Sequence, residues 1–231
     1  MGYNQNGFKE IELEWVLLQA GKESDVGFFV PYHNAFTSAG AHEGKQYAFL
    51  EKGFFEKFYT FQEKLLETTG LVPVIWFASA TPGFRRMLQI EYEAQVPGQQ
   101  VMPVNSPHSN HLSGMALDCL YAPQDHVPYI VEGLQSGNRE TLFRKIQDAK
   151  AEPPTWPDSL LVDQVLISPR RRRDILGSAR NCGLEINDAH QWHIQKAGAN
   201  PKIVVPDYPT PADMVRKRTG DIIKVRALEL A

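Results

Sequence analysis

The chain is poor in cysteine, has no long apolar run and carries no strong excess of either charge. Two cysteines in 231 residues, Cys119 and Cys182, exclude a disulfide framework and read as buried free thiols. No stretch approaches the roughly 20 consecutive apolar residues that a membrane-spanning helix needs. A net charge of −3 lacks the basic excess of a nucleic-acid surface, so neither nucleic acid nor membrane insertion is expected. The N-terminal stretch MGYNQNGFKEIELEW has no basic start followed by an apolar core, which excludes a secretory leader of the usual kind. Asn6 stands where an N-myristoylation signal needs Ser or Thr. The expectation is synthesis in the cytoplasm, with any extracytoplasmic substrate reached by some other route. No internal repeat or low-complexity tract interrupts the chain.

What is present suits one globular domain, since 42% of the residues are hydrophobic. Phe54, Phe55, Phe58, Phe61, Leu65 and Leu66 recur at three- and four-residue steps, which predicts an amphipathic helix from about Phe49 to Thr68, ended by Gly70. LVPVIWFASA (71–80) reads as a buried strand and MALDCLYA (115–122) as an alternating one. FRRMLQIEYEAQ (84–95) and residues 139–150 read as helical. Ser168–Pro169 opens a helix that runs to about Cys182 and stops at Gly183. LEIN and QWHIQ are short strand candidates, and IELEWVLLQ fits helix or strand equally. Residues 31–47 and 96–110 read as loops, and the last 20 residues as a basic helical tail. The fold class is therefore α+β, a small antiparallel sheet flanked by helices. The organisation is an N-terminal extension over 1–47, a main domain over 48–200 and a C-terminal tail over 201–231.

The chemistry concentrates in SNHLSGMALD, residues 109–118. On a strand from Met115 to Leu120, alternation puts Ala116, Asp118 and Leu120 on one face, and the small Ala116 leaves room beside the carboxylate. Gly114 permits a turn that would bring His111 back over that face. A second strand, Gln191–Gln195, puts Gln191, His193 and Gln195 together. If the two strands are neighbours, His111, Asp118 and His193 converge. Two imidazoles and one carboxylate with a position left for water form the ligand set of a catalytic zinc site.

The same residues carry a resemblance. Ser109, His111, Gly114, Ala116 and Asp118 match in full the SxHxxGxAxD signature of the LAS metallopeptidases. That group includes D-Ala-D-Ala dipeptidases and carboxypeptidases, phage endolysins and the zinc fold of hedgehog signalling domains. Trp192-His193-Ile194 resembles its downstream ligand element, and Thr81-Pro82-Gly83-Phe84-Arg85 its SGYR-like turn after a strand. The likeness covers roughly residues 48 to 196 and makes the main domain zinc peptidase-like. It implies Zn2+ held by His111, Asp118 and His193. Ser109 would orient a ligand or substrate, and Arg85, or Arg86 if the turn is read one residue later, would stabilise an oxyanion or anchor a substrate carboxylate. The activity implied is hydrolysis of amide bonds in bacterial peptidoglycan stem peptides by zinc-activated water, D,D- or L,D-specific. The setting implied is the periplasm or cell wall, reached by phage-mediated or secretion-system delivery.

The sequence departs from that group at the general base. The usual Glu or Asp three residues before the last ligand is replaced by His190, and the alternative His two residues before it by Gln191. Three readings stay open: His190 serves as base or acid, Asp188 or Glu185 reaches the water from a loop, or the site binds zinc without fast hydrolysis, as in a phage virion component. The run Arg170–Arg173 reads as a solvated helix face, and the alternative is contact with an anionic polymer.

Overall fold

The computed structural model describes residues 7–19, 23–24, 27–29, 38–42, 45–78, 110–135, 141, 144, 169–186, 193–199, 203–205 and 216–230. In chain order these form β1 (Phe8–Gln19), β2 (Glu23–Ser24), β3 (Gly27–Phe29), β4 (Ser38–His42), β5 (Lys45–Glu51), α1 (Lys52–Thr69), β6 (Leu71–Phe77) and β7 (Ala116–Pro123). A 3-10 turn, Gln124–His126, leads into α2 (Val127–Gln135), and there follow α3 (Pro169–Asn181), β8 (Leu184–Ile186), β9 (His193–Lys196), β10 (Ile203–Val204) and β11 (Ile222–Leu230). The predicted helix over 84–95 lies outside the described residues.

The architecture is mixed α and β, with two sheets in place of the single small one expected. The first has the order β10-β11-β1-β5-β4 and is antiparallel throughout. The second has the order β2-β3-β6-β7-β9-β8, antiparallel except for the parallel pair β3–β6.

Two expectations are overturned here. The last stretch of the chain is a strand, not a helix: β11 pairs with β1 from Phe8 opposite Leu230 to Val16 opposite Ile222. Val225 and Ala227 are buried while Lys224 and Arg226 are exposed, the two-residue period of a half-covered sheet. The basic residues had suggested helix by propensity, and tertiary pairing overrides propensity of that size. The polar segment read as loop over 31–47 contains β4 and the first residues of β5, paired antiparallel, with β4 at the sheet edge and its register irregular between Ser38 and His42. An edge strand needs no apolar pattern to be held by ladder hydrogen bonds.

α1 ends where predicted but starts at Lys52 rather than at about Phe49, which lies in β5, and Leu66 of the expected apolar stripe is exposed. The Glu51 carboxylate caps it by accepting from the Phe54 N–H at 2.7 Å, and Gly70, at φ 70°, ends it in the left-handed conformation. Phe54, Phe58, Phe61 and Leu65 are buried with Leu18 and Leu50 of the first sheet, Ile75, Leu117, Cys119 and Ile194 of the second, and Ile175 and Ala179 of α3. Each Phe, Leu or Ile among them contributes about 1.5–3 kcal/mol through burial. Cys119 is buried, as expected, and Cys182 is only half-buried. A second core, built on Leu13, Trp15, Leu17, Phe49, Val225 and Ala227, reaches Met115 just before β7. Among the described residues no helix is long and apolar enough to cross a membrane.

Candidate metal centre

The pairing that brings the site together is β7 against β9. Asp118 and His193 are direct cross-strand partners, and Ala116 lies opposite Gln195. Side chains at such opposed positions project to the same face, so the carboxylate and the imidazole meet. His193 Nδ1 is 3.0 Å from Asp118 Oδ1.

His111 comes from the turn before β7. Met115 N–H donates to the Asn110 carbonyl at 2.8 Å, Gly114 N–H to the His111 carbonyl at 3.3 Å, and Ser113 Oγ to the Asn110 carbonyl at 3.1 Å. Gly114 has φ 74°, and a Cβ there would lie 2.9 Å from the Glu51 backbone nitrogen and 3.2 Å from the Phe49 carbonyl oxygen. Only glycine suits that position, both for its backbone angle and for the approach of the first sheet. The turn is held from outside as well. Trp15 Nε1–H donates to the Ser113 carbonyl at 2.9 Å, and Glu51 N–H donates to the Gly114 carbonyl at 2.8 Å. The Glu51 carboxylate accepts from Lys196 Nζ on β9 at 3.0 Å. One residue thus ties the helix cap, the turn and the ligand strand.

The result is a compact triad. His111 Nε2 lies 3.1 Å from His193 Nδ1 and 3.6 Å from Asp118 Oδ1. The potential ligand atoms of all three residues fall within 4.8 Å of one another, with His111 and Asp118 buried and His193 partly so. Their outer hydrogen bonds decide what the inner atoms carry. His111 Nδ1 faces the Ala78 carbonyl at the end of β6, a group that only accepts, so Nδ1 holds the hydrogen and Nε2 a lone pair. His193 Nε2 faces Gln195 Oε1 at 3.3 Å, which likewise leaves the lone pair on Nδ1. Two lone pairs and a carboxylate pointed at one spot repel unless a cation lies among them.

That cation is either a proton or a metal. Burial alone would make His193 less basic, yet the hydrogen bond and charge of Asp118, helped by Gln195, outweigh it and raise its pKa above the usual value. A tetrahedral zinc site with bonds near 2.0–2.1 Å has ligand atoms about 3.3 Å apart. The observed separations of 3.0, 3.1 and 3.6 Å bracket that figure. The donor set therefore fits a divalent metal.

No family model matches the chain, and no curated protein matches it significantly.

Of the residues singled out in the sequence, His111, Asp118 and His193 are brought together. Ser109, Arg85, Arg86, Asp188 and His190 lie outside the described residues, as does Trp192. Glu185 is on strand β8, not in a loop, and its carboxylate accepts from Gln195 Nε2 at 3.2 Å. Sequence reasoning missed Trp15, Glu51, Asn110 and the supporting role of Gln195. Trp15 and Glu51 act from a different sheet, and no local spacing links them to the turn they hold.

Proposed function

We propose that the chain is a zinc-dependent peptidase acting on the stem peptides of bacterial peptidoglycan. The observation that carries the reading is the convergence of His111 Nε2, His193 Nδ1 and Asp118 Oδ1 to within 3.0–3.6 Å of one another. The SxHxxGxAxD signature and the Trp192-His193-Ile194 element support the substrate class and the hedgehog-like zinc fold by resemblance.

His111, Asp118 and His193 would hold the ion. When bound, zinc supplies Lewis acidity toward an amide carbonyl and makes a water acidic enough to act near neutral pH. With Asp118 as the one carboxylate among the three ligands, a bound divalent cation would keep a net positive charge suited to carbonyl and carboxylate oxygens. Asp118, carried on β7, and His111, held by its bond to the Ala78 carbonyl, would keep a bound ion in place without rearrangement. By the same resemblance, Arg85, or Arg86, steadies the oxyanion or a terminal carboxylate, and Ser109 orients the substrate. His190 or Asp188 takes the proton from the attacking water and gives one to the leaving amine. Delivery by a phage or a secretion system would bring the chain to the wall.

One observation favours a second reading, a zinc-fold binding or structural protein without efficient hydrolysis: His190 stands where the related peptidases carry a carboxylate. Zinc-loaded chain incubated with purified peptidoglycan, with His111→Ala beside it, separates the two. New stem-peptide termini in the muropeptides, seen by mass spectrometry and lost in the variant, are the result expected of the peptidase. One zinc per chain with no new termini supports the binder.

A further inference from the structure

The triad has an outer layer of hydrogen bonds centred on Gln195. This residue lies two positions along β9 from His193 and therefore on the same strand face. Its Oε1 faces His193 Nε2 at 3.3 Å and accepts from Asn110 Nδ2 at 2.9 Å. Its Nε2 donates to the Glu185 carboxylate at 3.2 Å. A carboxylate can only accept, so Glu185 dictates which end of the carboxamide turns toward the histidine. With its oxygen turned inward, Gln195 can only accept from the ring, and His193 must carry its hydrogen on Nε2. The lone pair then sits on Nδ1, the atom that faces Asp118 and His111. The three strands β7, β9 and β8 hold this row in register, since Ala116 opposes Gln195 and Gln195 opposes Glu185.

We infer that Gln195 is a positioning residue for the metal, holding His193 in the Nε2–H form with Nδ1 aimed at the ion, and that Glu185 and Asn110 hold Gln195 in turn. This rests on the reading of His111, Asp118 and His193 as metal ligands. Hydrogen bonds of this kind fix the tautomer and orientation of a ligating histidine and strengthen its donation, and losing one lowers metal affinity by about 10–100-fold.

The test measures Zn2+ dissociation constants by competition with a chromophoric chelator, and the absorption spectrum of the Co2+-loaded chain. The proteins are wild type, His111→Ala, Gln195→Leu, Gln195→Glu and the exchange Glu185→Gln/Gln195→Glu. Wild type is expected to bind one Zn2+ and His111→Ala none of comparable affinity. Gln195→Leu should bind about 10–100-fold more weakly with an altered Co2+ spectrum, while its metal-free thermal unfolding stays near wild type. Gln195→Glu alone sets two carboxylates against each other. The exchange restores a donor at 185 and an acceptor at 195, and should recover affinity to within a few-fold of wild type. Wild-type affinity and spectrum in a folded Gln195→Leu would overturn the role of Gln195 and leave the ligand reading standing. Should that variant not fold, the carboxylate variants decide: an exchange no tighter than Gln195→Glu alone also overturns it. A wild type that binds Zn2+ no better than His111→Ala sinks the ligand reading itself.

Discussion

At the residue scale the site is a problem of electrostatic balance. Asp118 is buried and sits 3.0 Å from His193 and 3.6 Å from His111. Replacing it by Asn keeps the shape but removes the negative charge of the triad. Asp118→Asn is expected to abolish tight metal binding, read as metal per chain by elemental analysis after dialysis; stoichiometric metal in the variant would refute the assignment. The proton makes a second prediction. His193 is more basic in the folded chain than its reference value of 6.5. Its contribution to the stability of chelator-treated protein is therefore fully present below about pH 6.5 and is lost as pH rises through the raised folded value. A metal competes for the same lone pair, so Zn2+ affinity should rise with pH over that window. Thermal melts across a pH series, with Asp118→Asn as reference, check the sign: parallel pH dependence in the two proteins would contradict it.

At the element scale, the turn 110–114 is where two sheets meet. Gly114 combines φ 74° with a backbone nitrogen 2.9 Å from where a Cβ would be. Gly114→Ala should destabilise the chain by more than the roughly 1–3 kcal/mol of the backbone angle alone, because the turn must also move off Glu51. It should lower metal affinity in the same step, since His111 travels with the turn. Trp15→Phe is milder. It leaves the ring's stacking on Phe49, at 5.3 Å between centroids, and strands the Ser113 carbonyl. The expected loss is about 1–3 kcal/mol in denaturant unfolding, with weaker Zn2+ binding alongside. A Trp15→Phe chain with unchanged metal affinity would mean that the turn does not need this prop.

At the scale of the whole molecule, the first and last described strands, β1 and β11, pair in one sheet. β1 lies between β11 and β5, so removing residues 216–231 would uncover a central strand and open the core around Leu13, Trp15 and Val225. That truncation is expected to lose cooperative unfolding by circular dichroism, whereas trimming a surface helix would leave it intact. Because Trp15 and Glu51 brace the metal turn from this sheet, the truncated chain should lose its metal as well. In the intact chain, Zn2+ at a thousand times its dissociation constant should add about 4 kcal/mol to stability, measured as a rise in melting temperature that EDTA reverses.

Several features were readable from the sequence because they are local and periodic. The Phe54-Phe58-Phe61-Leu65 stripe announced α1, Gly70 its end, and Pro169 and Gly183 the limits of α3, each through backbone or side-chain geometry that needs no distant partner. The spacing of His111, Gly114 and Asp118 was legible for the same reason. Whether β7 and β9 are neighbours was not, since pairing depends on register between segments 75 residues apart. The terminal strand was missed because Arg, Lys, Leu and Ala favour helix in isolation, and the Ile223-Val225-Ala227 alternation gains its meaning only once β1 lies beside it. Trp15 and Glu51 reach the site through hydrogen bonds to the backbone of a distant turn, and such bonds leave no spacing to read, whereas alternation alone placed Gln195 beside His193. The sequence alone determined which atoms are able to bind a metal; only the tertiary structure decided that they lie within reach of one ion, because that depends on how strands far apart in the chain pair.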